Sequence, residues 1–162
     1  MIAKRIEKFG LRLAEGVDYS VVNVEQDDRY RDFWQTYHRM TERKGVTQEL
    51  AKIDMRRRLS LIGTMLLHKG EVDGLICGTW SHPLVHLQYV DQVIGHRPGV
   101  NTYACMNALL LPDRQVFLVD THLNYDPSAE QLAEITVMAA EEMMRFGIRP
   151  KAALLSHSNF GS

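Results

Sequence analysis

The sequence predicts an α/β fold, with a mixed and largely parallel sheet flanked by helices. Three observations point there. Residues 152–155 (AALL) and 72–77 (VDGLIC) have the short apolar character of strands buried on both faces of a parallel sheet. Stretches of helical periodicity alternate with them. Pro112-Asp113-Arg114 divides two further β-rich runs, which predicts an antiparallel hairpin and makes the sheet mixed.

At the N-terminus, Ile2, Ile6 and Phe9 share one helical face that Gly10 stops. Residues 17–24 form a short β-rich run. Asp27 or Asp28 can cap a longer helix that carries Tyr30, Phe33, Trp34, Tyr37 and Met40 on one face and ends at Gly45. Such aromatic stripes are usually core, and this one is assigned to the core. A second long helix is expected from Thr47 to about Lys69, with Leu59, Ile62, Met65 and Leu66 at helical spacing. The arginines Arg56, Arg57 and Arg58 fan around it, so they read first as a solvated surface and second as an anion grip.

After the 72–77 run, Gly78, Thr79, Trp80 and Ser81 make a glycine-hydroxyl turn into a helix, with Ser81 expected as cap and Pro83 in the first turn. A strand feeding such a turn and a helix N-terminus can bind an anion. His82 and His86 stand i,i+4 on that helix, a spacing at which two imidazoles can share a metal. No HExxH pattern or third ligand accompanies them, so no metal site is assigned. Residues 103–111 and 116–120 are the strands of the hairpin. Asp120, His122 and Asn124 crowd its end, and the pattern fits either catalysis or loop hydrogen bonding.

The C-terminal stretch is the most informative. Asp126-Pro127 offers one helix start, and Ser128 with Gln131 offers an overlapping capping box. Leu132, Ile135, Met138 and Met143 recur on one side, with Glu130, Glu134 and Glu141 on the other. Gly147 and Pro150 end the helix. The run 152–155 then delivers SHSNFGS at its carboxyl end, where open α/β sheets bind ligands.

Composition excludes several classes. Nineteen basic against twenty acidic side chains give a net charge of −1, so no global field draws the chain to nucleic acid or an anionic membrane. With 45% hydrophobic residues the chain is globular, and no run approaches the roughly 20 apolar residues that span a bilayer. MIAKRIEKFG is too charged for a signal peptide. Cys77 and Cys105 are far apart and carry no zinc spacing, so reduced thiols in a cytoplasmic protein are expected.

LAEI, FGIRPK and ALLSHSNFGS, with RPGVNTYACMNALLLP and FLVDTHLNYDPSAEQLAE, resemble the phosphate acetyl/butyryl transferase (phosphotransacetylase) family. The SHSNFGS form is most similar to the C-terminal transferase-like domain of hybrid NADP-dependent malic enzymes. The resemblance implies a two-subdomain architecture with the ligand cleft between. In this chain, residues 1–73 would be the mostly helical part and 74–162 the cleft-forming part of an incomplete domain. It further implies that Ser156, Ser158, Asn159, Gly161 and Ser162 line the acyl or phosphate end, with Gly78, Thr79, Ser81 and Arg97 toward the coenzyme or phosphate. Asp120 and Asn124 are expected at the cleft as well. No catalytic residue is assigned.

Two departures stand out. Where the family carries a leucine-arginine-proline triplet this chain has Leu87-Gln88-Tyr89, so the neutral Gln88 replaces a phosphate-gripping arginine. The family's closing serine-arginine pair and aspartate lie beyond Ser162. The expectation is therefore an acetyl-CoA- or CoA-binding regulatory domain of a malic enzyme, without its own turnover. The alternative is an active phosphate acyltransferase. NADP and a divalent metal are expected only in a separate malic domain of the same parent chain. A homo-oligomer is expected, as are marginal stability or self-association for the 162 residues alone.

Overall fold

The computed structural model describes residues 2–24, 26–78 and 80–155. Thr79 and 156–162, and with them the SHSNFGS loop, lie outside the described residues. The chain divides into two compact units, Met1–Cys77 and Gly78–Ser162.

The first unit is helical. α1 (Ile2–Lys8) buries none of its residues. α2 (Tyr30–Thr41) buries Phe33, Thr36, Tyr37 and Thr41, so the aromatic stripe is core, as its spacing predicts. Asp27 does not cap this helix directly. Its carboxylate accepts from the Arg29 backbone N–H and guanidinium, and Arg29 also pairs with Glu71 beyond the fourth helix. A 3₁₀ turn (Glu42–Lys44) follows and ends on Gly45 at φ 89°, a left-handed conformation that glycine enters without steric cost.

The single long helix expected after Thr47 is two helices. α3 (Gln48–Arg57) starts on Thr47, whose hydroxyl accepts from the Leu50 N–H. α4 (Leu59–His68) begins directly after Arg58, which is extended at φ −112°, ψ 91°. The break follows from burial. α3 buries only Ala51 and Met55, whereas α4 buries Ser60, Leu61, Ile62, Thr64 and Met65 and must turn into the core. Lys69 bonds Asp32 at 2.8 Å and the Thr36 hydroxyl at 3.1 Å, tying the end of α4 to α2.

Two expected strands of this unit are absent. Residues 17–24 carry turns and one isolated bridge, Glu15 to Tyr19. Residues 72–77 have no ladder, and Ile76 is fully exposed. Apolarity alone does not make a strand, since its N–H and C=O groups need a partner edge. What holds this run is packing. A Cβ on Gly63 of α4 would stand 2.5 Å from a Leu75 methyl, so the missing side chain makes room for Leu75.

In the second unit, α5 (Pro83–Val93) buries Tyr89 and Val93. β1 (Met106–Leu110) and β2 (Gln115–Val119) form the expected antiparallel hairpin, with Met106 opposite Val119 and Leu110 opposite Gln115. α6 (Ala129–Arg145) starts at the capping box rather than at Asp126-Pro127: the Ser128 hydroxyl accepts from the Gln131 N–H and the Gln131 side chain returns to the Ser128 N–H. It ends on Gly147 at φ 74°. Helices and a sheet in one chain bear out the α/β class. Among the described residues the sheet is this antiparallel pair alone, and the expected parallel strand at 152–155 is without a ladder, with Leu154 and Leu155 exposed. No described helix is long and apolar enough to cross a membrane.

Candidate functional site

The residues expected to form a ligand site that lie within the described structure all belong to the second unit. Gly78 (φ 142°) and Ser81 (φ 77°) bracket the turn before α5, a conformation glycine accepts and serine seldom does. Ser81 does not cap α5. The cap is His82, whose ring Nδ1 accepts from the Leu84 N–H at 3.3 Å. His86 Nε2 lies 2.7 Å from the Trp80 carbonyl. Both imidazoles are thus spent on the turn, and no cluster that could hold a metal ion exists among the described residues.

Gln88 is exposed on α5, beside the buried Tyr89. Past the end of α5, the loop carrying Arg97 docks on the acidic side of α6. The Arg97 guanidinium pairs with Glu141, and the Glu134 carboxylate accepts the Asn101 N–H at 3.1 and 3.2 Å. The Thr102 hydroxyl, then the Asn101 N–H, hold Glu134 below the usual carboxylate range. Sequence reasoning placed these glutamates only on the side of the helix opposite its apolar residues. Their i,i+7 spacing was the available signal, since it puts both on one side of α6 two turns apart.

The same loop is fixed at its other end. His96 stacks on Tyr103 with ring centroids 3.9 Å apart. The Tyr103 hydroxyl donates to Asp91 at 3.0 Å, and burial together with that carboxylate pushes the phenol up to about 12.

Asp120 and Asn124 are brought together in one hydrogen-bond network. The Asp120 carboxylate accepts from the backbone N–H groups of Cys105 (2.9 Å), His122 (3.2 Å) and Asn124 (2.7 Å). Asn124 donates its side-chain amide to Asp120 and to the Tyr103 carbonyl at 2.7 Å. Burial pushes Asp120 upward, but the N–H groups of Cys105 and Asn124 outweigh it and hold the carboxyl below its ordinary value. A carboxylate so saturated with donors has little basicity left for proton abstraction.

One cavity joins these pieces. About 270 Å³ of space lies between the hairpin and α6, lined by Cys105, Met106, Val119, Ile135 and Met138, with Arg97 also on its wall. Cys105 therefore links the two groups: its N–H is held by Asp120 and it lines the space that Arg97 borders. Burial, then the Asp120 charge, push the Cys105 thiol up, which makes it a poor nucleophile. The arrangement can enclose a small apolar group near one ion-paired guanidinium. Thr79, Ser156, Ser158, Asn159, Gly161 and Ser162 lie outside the described residues.

Comparison with known proteins bears on this geometry. The whole chain, residues 1–162, matches the family described as "Phosphate acetyl/butaryl transferase". It is 49% identical over its full length to an NADP-dependent malic enzyme of Salmonella typhimurium, of which it spans 21%. It is 31% identical over 99% of its length to a phosphate acetyltransferase of Nitratidesulfovibrio vulgaris, of which it spans 22%. Among solved structures, the EutD phosphotransacetylase from Staphylococcus aureus superposes with a TM-score of 0.76 at 25% identity, over 97% of this chain and 46% of that one. The chain thus spans about a fifth of these curated relatives.

Proposed function

The chain belongs to the phosphate acetyl/butaryl transferase family, and from that premise we propose that it binds acetyl-CoA or CoA as a regulatory signal for a malic enzyme activity carried elsewhere in a longer polypeptide. It does so without acyl transfer of its own. The observation that carries this reading is the state of its cations. Of the described residues expected at the cleft, Arg97 is the one cation, and Glu141 neutralises it, while Gln88 stands neutral where the resemblance expects an arginine. Acyl transfer to phosphate develops charge that needs an uncommitted cation or Arg fork, whereas holding a thioester in its ground state does not. The likeness to malic enzymes along the whole chain supports the regulatory context. NADP and a divalent metal belong, on this reading, to the remainder of such a polypeptide, and assembly into a homo-oligomer accompanies it.

The test is to titrate acetyl-CoA against malate oxidation by the full-length protein while following phosphate-dependent release of free thiol. The expected result is a changed oxidation rate with no thiol release. Malate oxidation indifferent to acetyl-CoA would overturn the proposal.

The second reading is an active phosphate acyltransferase. One observation favours it: Arg97 and Glu141 are 46% and 39% exposed, and a solvent-screened pair of this kind contributes about 0–1 kcal/mol. Incoming phosphate can displace Glu141 at small cost. Steady thiol release in phosphate would establish this second reading.

A further inference from the structure

The run 72–77 that follows α4 is held by little. None of its backbone N–H or C=O groups bonds another described residue, and the Asp73 carboxylate has no partner there either. Asp73 and Gly74 are both exposed, and only the half-buried Leu75 is seated, against Gly63. Asp73-Gly74 is also the one place in the sequence where an aspartate or asparagine precedes glycine. That pairing has its own chemistry, because the amide nitrogen after an aspartate can attack the side-chain Cγ. Two things normally obstruct the attack: a side chain on the following residue, and a hydrogen-bonded backbone that cannot rotate into line. Neither operates here. A Cβ at Gly74 would meet nothing within 4 Å, so the surrounding chain does not crowd the nitrogen.

We infer that Asp73-Gly74 is a site of spontaneous covalent modification, at which Asp73 converts to isoaspartate through a cyclic succinimide. The Gly74 nitrogen bonds to the Asp73 Cγ, and the hydroxyl of the protonated carboxyl leaves with the amide hydrogen as water. Water then adds to the main-chain carbonyl carbon of Asp73, and the bond from that carbon to the Gly74 nitrogen breaks. The main chain now runs through Cβ and Cγ, and the former carbonyl is a free carboxylate. Mass is unchanged, but the main chain gains one methylene two residues before Leu75, whose methyl fills the space beside Gly63. This inference rests on neither ligand reading above.

The experiment holds the full-length protein at neutral pH and physiological temperature and samples it over weeks. A synthetic peptide of residues 69–81 is aged beside it. Isoaspartate is located by fragmentation mass spectrometry and counted with an isoaspartyl carboxyl methyltransferase. The expected rate at Asp73 lies within about tenfold of the peptide's, since a run without a ladder opens at almost no cost. Gly74→Ala, whose methyl the fold accommodates, should slow it by at least roughly tenfold in protein and peptide alike. A protein rate further below the peptide's would show that this run is paired in the longer polypeptide and would overturn the inference. Isomerisation undiminished by Gly74→Ala would exclude the succinimide route and overturn it equally.

Discussion

Replacing Asp120 by alanine tests how the loop after β2 is built. The carboxylate holds N–H groups of Cys105, His122 and Asn124 and the Asn124 side chain. His122 is exposed, so water replaces its bond at little cost. Cys105 and Asn124 are half-buried, and each loses a bond to a charged acceptor, worth about 1.5 kcal/mol at the low end of such bonds. The sum is about 3 kcal/mol, which corresponds to roughly a hundredfold faster opening of this loop. Hydrogen exchange of the Cys105 and Asn124 amides in the folded protein reads that number directly. Asp120→Asn keeps one acceptor oxygen and should lose about half as much. The acid limb gives a second check. The folded carboxyl lies below its unfolded value, so its stabilisation is present above the unfolded value near 3.9 and is lost as pH falls through the lower folded one. Asp120→Ala should therefore flatten the stability profile in that acid window. Exchange altered less than about fivefold, or an unchanged acid limb, would refute the reasoning. A catalytic Asp120 would instead show loss of activity in Asp120→Asn with exchange intact.

Three further outcomes are expected. Met55→Ala, at a fully buried side chain between α2 and α4, should cost about 2–5 kcal/mol in urea unfolding of the first unit, and a loss under 1 kcal/mol would contradict its place in the core. Ser128→Ala removes half of the capping box and should cost about 1 kcal/mol, seen as faster exchange confined to the first turn of α6. Asp27, held down to about 2 by its bonds to Arg29, stabilises the first unit above its unfolded value near 3.9 and ceases to as pH falls through about 2. With Arg29 40% exposed, the effect discounts to about 1 kcal/mol, and Asp27→Asn should remove that part of the acid transition.

What could be read from the sequence follows the range of the interactions involved. The α6 capping box, the Gly45 and Gly147 stops and the buried aromatic stripe depend on residues within a turn or two of one another, so spacing alone exposes them. The division at Arg58 was hidden because the apolar stripe continues in phase across it, from Met55 to Ile62 and Met65; only the deeper burial of α4 makes the chain bend. Residues 72–77 and 152–155 carried the composition of strands, but strand formation depends on a partner edge that composition does not contain. In the candidate site, the crowding of Asp120 and Asn124 was visible while their role was not. A carboxylate's function depends on how many donors reach it, and the Cys105 N–H arrives from the residue just before the other strand.

The placement of Gln88 and Arg97 has a consequence for how a transferase fold can become a sensor. Catalysis requires contacts stronger in the transition state than in the bound substrate. For acyl transfer to phosphate those contacts are positively charged or N–H donors, because the phosphate enters as an anion while the attacked carbonyl oxygen and the departing thiolate gather negative charge. On the sensor reading, the neutral Gln88 and the pairing of Arg97 with Glu141 are what weakens those contacts selectively. Contacts to the uncharged parts of a thioester depend on cavity shape and backbone donors, and neither change touches them. On the sensor reading, Gln88→Arg should therefore raise phosphate affinity while leaving acetyl-CoA affinity near its starting value. An equal rise for both ligands would mean that the added charge acts through the general field of the protein rather than through a phosphate subsite.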